Sequence, residues 1–181
     1  MTLWKIDPAH SQVTFKVKHL VVSTVTGSFK TYDASIETEK EDFSDARISF
    51  EAQIASISTN NEQRDAHLLS PDFFDVANYP TLNFVSTSVK KISDFELEVK
   101  GNLTLRGVTR EVVLDVIYNG TVRGFGGQEV AGFEIRTKIN RFDFGLQWNA
   151  LTEAGGVVVS NEVRIEILAE FTKAQSSVQA A

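Results

Sequence analysis

VRIEILAEF, Val163 to Phe171, is the most regular stretch of the chain. Val163, Ile165, Ile167, Ala169 and Phe171 alternate with Arg164, Glu166 and Glu170. A period of two puts the apolar set on one face of an extended segment and the charged set on the other. That is the pattern of a half-buried antiparallel strand. The same period recurs through the chain. Val13, Phe15 and Val17 share a face in Gln12 to His19, and Ile48, Phe50, Ala52 and Ile54 do so in Arg47 to Ile54. Leu82 and Phe84 continue it, as do Phe95, Leu97 and Val99, then Leu103 and Leu105. Val112, Leu114, Val116 and Tyr118 follow, and later Phe133, Ile135, Thr137 and Ile139.

Turn signals separate these runs: Arg106-Gly107, Asn119-Gly120, Gly126-Gly127 and Gly155-Gly156. About eight strand-like runs at this spacing predict an all-β barrel or sandwich. Phe29 is out of step with Tyr32, Ala34 and Ile36, which predicts a bulge or bend between them. One interior segment reads as helix. Thr59 with Glu62 three residues on fits a capping box, and Ser70-Pro71 ends the helix and opens a second turn. Asn78-Tyr79-Pro80 stops that turn before the next strand. The expected organisation is one barrel over residues 1–173, with a short, small and polar tail at 174–181 that frays.

Composition narrows the function classes. The 181 residues carry a net charge of −6 without a Lys/Arg cluster, which argues against nucleic acid and against an anionic membrane surface as partners. No stretch approaches the ~18 apolar residues of a membrane span. With 0 Cys, thiolate chemistry and disulfides are excluded. The opening MTLWKID shows no signal peptide, so the cytoplasm is expected, or the periplasm if the chain starts at a mature N-terminus. The 13 Phe, against 3 Tyr and 2 Trp, suit a dry interior.

Arg64, Asp65 and His67 bring cation, acid and base together in the helical segment. A catalytic triad also needs a nucleophile, and no Ser or Thr lies in a G-x-S-x-G elbow. A structural role or a head-group contact is the expectation. His10, His19 and His67 have no ligand-like spacing, so no metal and no cofactor are expected. His19 shares the parity of Val13, Phe15 and Val17 and should point inward. It is either a hydrogen-bonded core residue or the polar contact of an apolar pocket. The acidic pairs Glu39/Glu41 and Asp94/Glu96 read as solvated surface. A barrel of this size either fills with side chains or encloses one small ligand. Filling by Phe is the simpler outcome, but the inward Ala52, Ser86, Gly101 and Ala169 are small enough to leave a lumen.

The ordered motifs then resemble a known family. WKIDPAHSQVTFKVKHL (4–20), VTGSFKTYDASI, SISTNNEQRDAHLLSPDFFDVANYPTLNFVSTSV (56–89), NLTLRGVTREVVLDV (102–116), INRFDFGLQW and VVVSNEVRIEI together look like the YceI-like family. That resemblance covers about Leu3 to Phe171 and implies a lipocalin-like, eight-stranded antiparallel barrel with a short helical crossover. It implies binding, carriage or storage of a polyisoprenoid, a quinone or another long-chain lipid, with no catalytic residue. Many relatives are periplasmic, so the missing signal peptide is a departure. The expected cavity wall is Phe15, Val17, Phe50, Phe84, Leu105, Phe133, Ile135, Phe144 and Val163, with His19 and Arg64 as polar contacts at the mouth. Two alternatives stand beside it: an enzyme acting on a ligand inside the barrel, and a filled barrel serving as an interaction module. A homodimer is compatible with the sequence.

Overall fold

In the computed structural model, which describes residues 1–150 and 158–175, the alternating runs are strands. They are β1 (Thr2–Ile6), β2 (Gln12–His19), β3 (Ser23–Phe29), β4 (Tyr32–Thr38), β5 (Arg47–Gln53) and β6 (Ile57–Ser58). After helix α1 (Glu62–Leu69) come β7 (Thr81–Lys91), β8 (Glu96–Leu105), β9 (Val108–Arg123), β10 (Glu129–Asn140) and β11 (Glu162–Lys173).

These segments make eight staves, because three staves are bent. β1 and β2 are halves of one, interrupted by a 3-10 turn at Pro8–His10. Asp7 builds that bend: its carboxylate accepts from Ala9 N, and Pro8 sits at the first helical position. β3 and β4 are halves of the second and break at Lys30 and Thr31, which accounts for the parity change after Phe29. β5 and β6 are halves of the third, bent at Ile54–Ser56.

Each stave pairs antiparallel with its sequence neighbours. The ring closes on β11, whose Arg164 to Leu168 pair with β2 and whose Phe171 to Lys173 pair with β1. The result is the expected closed, eight-stranded antiparallel barrel, and closure removes the exposed edges that an open sheet would carry.

The turn signals divide. Arg106 and Gly107, at φ 50° and 72°, form the two-residue β8–β9 hairpin, the primed turn that suits strand twist. Gly126 and Gly127 lie in the β9–β10 turn, closed by Gly124 N donating to Gln128 O at 2.8 Å. Asn119-Gly120 is not a turn. β9 runs straight through it, and Gly132 faces Gly120 while Phe133 faces Tyr118, so Asn119 is the extra residue of a bulge. Gly120 supplies the positive φ of 104° that a bulge, like a hairpin, draws from glycine. The Gly155-Gly156 signal falls outside the described residues, as do residues 176–181 of the expected tail. Ala174, at the start of that tail, still donates to Leu3 O.

The helix also departs from its expected cap. Asn61, not Thr59, caps α1, its side chain accepting from Arg64 N at 2.9 Å. Thr59 is 4% exposed and serves a different purpose. Its hydroxyl donates to Asp65 Oδ1 at 2.6 Å, while its Oγ1 and carbonyl accept from Arg64 Nε and Nη2, both at 2.7 Å. So Arg64 and Asp65 tie the helix to the strand that precedes it.

Candidate functional site

The inward faces do not fill the barrel. They enclose a cavity of about 420 Å³ whose lining is apolar almost throughout. The filled-barrel alternative is thereby set aside.

One end is sealed by the β4–β5 connection. Phe43 there is 2% exposed and stands at φ 60°, a conformation that a non-glycine residue holds only when its surroundings enforce it. Its ring meets Trp4 and Tyr118 at 5.3 Å and Phe133 at 5.1 Å, edge-on or tilted as aromatic quadrupoles prefer. Two aspartates hold the loop around it. Asp45 accepts from Thr38 Oγ1 and from the Glu39 and Lys40 amides, and these bonds hold its carboxyl below the usual range. Asp42 accepts from Ser44 N and Lys91 Nζ and is also depressed, chiefly by Ser44. This is a plugged floor.

The walls are kept open by glycine. Phe15 lies flat over Gly27, its cross-strand partner: a Cβ there would stand 2.1 Å from the ring's Cζ. Phe84 lies over Gly101, where a Cβ would stand 2.4 Å from its Cζ and 2.5 Å from Val85 O. Each ring presses into the sheet instead of across the lumen, so these glycines act by letting rings recline.

The opposite end gathers the polar groups: α1, the tip of the β2–β3 hairpin and the segment after β10. His19, Arg64, His67 and Arg141 line the cavity, together with Thr14, Thr59, Thr137 and part of Lys18, whose Nζ donates to the exposed Thr24, and among the described residues no Asp or Glu does. His67 Nε2 bonds Asp72 Oδ2 at 2.8 Å and sets its ring edge against Trp148 at 4.7 Å and Phe73 at 5.1 Å. Arg141 is the residue that the sequence reading missed. It is 4% exposed and donates to the carbonyls of Ser160, Leu146, Trp148 and Val159. No carboxylate pairs with it among the described residues, and burial lowers its pKa from the ordinary guanidinium value. The sequence does carry a signal for it, because Arg141 continues the inward parity of Phe133, Ile135, Thr137 and Ile139.

Of the expected wall, Phe15, Val17, Phe50, Phe84, Leu105, Phe133, Ile135 and Val163 line the cavity, and so do His19 and Arg64. Phe144 does not. It lies on the 3-10 turn Arg141–Phe144 and is 2% exposed in a second core with Ile54, Phe73 and Leu146. Of the small residues, Ala169 lines the cavity, whereas Ala52 is 0% exposed in that second core between Tyr32 and Leu82. Ser86 instead caps a bulge, accepting from Ile48 N at 2.8 Å.

Outside the barrel, Asp7, His10 and Glu170 come within reach of one cation. The geometry already has a structural cause. His10 Nδ1 bonds Asp7 Oδ2 at 2.8 Å, which lowers the Asp7 pKa and raises that of His10, and Asp7 caps the β1–β2 bend.

Comparison with known proteins agrees with this architecture. The model of the YceI-like domain matches residues 4–171. A UPF0312 protein of Staphylococcus aureus (strain MSSA476) is 39% identical over 173 residues, covering 95% of this chain and 98% of that one. The crystal structure of the Campylobacter jejuni YCEI protein superposes with a TM-score of 0.75 at 32% identity, covering 88% of this chain and 91% of its own. A polyisoprenoid binding domain from Saccharophagus degradans shares the fold at a TM-score of 0.69 and 14% identity, covering 94% and 98%.

Proposed function

The chain belongs to the YceI-like family, and from that premise we propose that its barrel binds a long-chain isoprenoid lipid or quinone, chain inward, to carry or store it. The observation that carries this reading is the apolar cavity of about 420 Å³, floored by Phe43 and polar only at its other end. A relative in fold that is described as binding polyisoprenoids supports it.

The energetics favour a long chain. Each methylene moved from water into such a cavity contributes about 0.8 kcal/mol, while association costs about 4–15 kcal/mol in lost freedom. Roughly 5–19 carbons are therefore needed before net binding begins. A short ligand would not hold, and a chain that fills the cavity would. The head then lies among His19, Arg64 and Arg141, a set of donors that no Asp or Glu accompanies on the lining among the described residues.

We read this site as binding rather than catalytic. His67 is engaged by Asp72, and the hydroxyl of Thr59 by Asp65, so neither pairs with the other as base and nucleophile.

Native mass spectrometry of freshly purified protein, followed by organic extraction, tests the proposal. A mass increment that extracts as a long-chain lipid is expected, as is rebinding of that lipid by delipidated protein. Protein that purifies empty and takes up neither farnesol nor a quinone with an isoprenoid tail would refute it.

A further inference from the structure

At the mouth end, Leu20, Val21 and Val22 form the β2–β3 tip, 41%, 73% and 86% exposed. Leu20 and Val21 stand at φ 52° and 66°, in the left-handed region. Asn or Gly would occupy those positions with less strain, and a β-branched valine is a poor choice there. Turn chemistry therefore does not explain these residues, and neither does packing, since their side chains reach into solvent. The tip follows directly on the cavity-lining His19, and Leu20 N donates to the carbonyl of Val158, which also lines the cavity.

Just behind the tip is a band of cations. On the outer face, Lys16 faces Arg164 and Arg164 faces Lys138 across three adjacent strands, with Lys18 two residues nearer the tip. Glu166 and Glu162 pair with Lys16 and Arg164 but leave the band net positive, on a chain whose overall charge is −6. The whole-chain charge argues against an anionic surface, but the local distribution does not. At about 3.3 Å per residue, Lys16 and Lys18 trail the tip by roughly 7–13 Å. An apolar element buried about 5–10 Å into a bilayer would set them at the head groups. The floor end also exposes apolar rings, Phe95 and Phe125, but the charges beside them are mixed, with Lys91 paired to Asp42 and Asp94 and Lys173 to Glu129.

We propose that the barrel docks mouth-first on an anionic lipid bilayer, with Leu20, Val21 and Val22 entering the acyl boundary and Lys16, Lys18, Lys138 and Arg164 meeting the head groups. The cavity then opens toward the membrane, so a chain passes between bilayer and barrel without crossing water. This goes beyond ligand binding and is read separately from it: vesicle binding does not depend on what occupies the cavity.

The test is co-sedimentation of the delipidated full chain with vesicles of equal parts phosphatidylcholine and phosphatidylglycerol, and with phosphatidylcholine alone. The decisive variant combines Leu20→Asn, Val21→Gly and Val22→Ser. It removes the apolar tip while supplying residues that suit the turn, so its melting temperature should hold or rise. Its affinity for the anionic vesicles should fall about tenfold or more, and added salt should weaken the wild type. Phe125→Ser should bind as the wild type does. Wild type left in the supernatant, equal binding to the neutral vesicles, a tip variant that binds normally, or loss on Phe125→Ser would each overturn the proposal. So would a dimer of the free protein that the tip variant dissolves, which would make a second copy the occupant.

Discussion

Gly27→Ala should narrow the cavity without unfolding the barrel. The new Cβ would stand 2.1 Å from Phe15 Cζ and 2.6 and 2.7 Å from two further ring carbons. Ordinary carbon contact begins near 3.5 Å, so the ring must withdraw by about 1.4 Å. Its backbone side is sheet, and its free side is the lumen. All three close atoms belong to a rotatable side chain, so the protein can yield by swinging the ring inward. The stability change should therefore stay below the ~1–3 kcal/mol of an overpacked core. A swung ring displaces about two or three methylenes of ligand, about 2 kcal/mol and hence roughly thirtyfold in affinity. Gly101→Ala is the contrast. There the backbone carbonyl of Val85 lies 2.5 Å from the new Cβ and cannot rotate away, so that variant should lose stability outright. Urea melts on delipidated protein and displacement of a fluorescent lipid measure the two quantities. Adding Phe15→Ala to Gly27→Ala should restore affinity. An affinity unchanged by Gly27→Ala, or a loss that Phe15→Ala fails to relieve, would refute the reclining-ring account of the lumen.

Ala52→Phe should destabilise by about 1–3 kcal/mol or more in urea melts, because Ala52 is 0% exposed in a packed core and not on the lumen. A neutral result would place it back on the cavity wall. Arg141→Met should cost about 3 kcal/mol or more, since the carbonyls of Ser160, Leu146 and Trp148 lose their buried donor, and Arg141→Lys should recover only part. A loss under about 1 kcal/mol would show that these carbonyls find other partners. The floor should loosen in acid. Asp42 and Asp45 are held below the ordinary 3.8, so their contribution is present above that pH and is lost as pH falls through their lower folded values. Stability followed by Trp4 fluorescence in a Trp148→Phe background should decline more steeply below pH 3.8 in wild type than in Asp45→Asn, and parallel curves would count against the mechanism.

The barrel was legible because period two survives in long strands, above all in β11, and because the inward set is too apolar for any solvated face. What alternation cannot report is which interior a residue enters. Phe144 and Ala52 are as buried as the wall residues, yet neither reaches the cavity, a distinction made by how the crossover and the bends pack and not by parity. Asn119-Gly120 was misread because positive φ serves bulge and hairpin alike. Thr59 and Asn61 are both good caps, and the choice between them fell to the Arg64–Asp65 network, which engages the Thr59 side chain. Arg141 was overlooked because a charge at an inward position reads as the end of a strand, whereas here the segment after β10 wraps its carbonyls around it.

The seam between the two ends of the chain sets the order of events in folding. β11 is the last stave made and the partner of the first, with Thr14 donating to Glu166 O across 152 residues of sequence. A growing chain can therefore assemble the hairpins up to β10 but cannot close the ring until its final strand is free. Until then β2 and β10 each offer an unpaired edge beside an open apolar trough. Loop closure over such a span is slow relative to local hairpins. The interval between the emergence of β10 and that of β11 is thus when this protein is most exposed to strand addition by a neighbour, and a truncation into β11 would make that interval permanent.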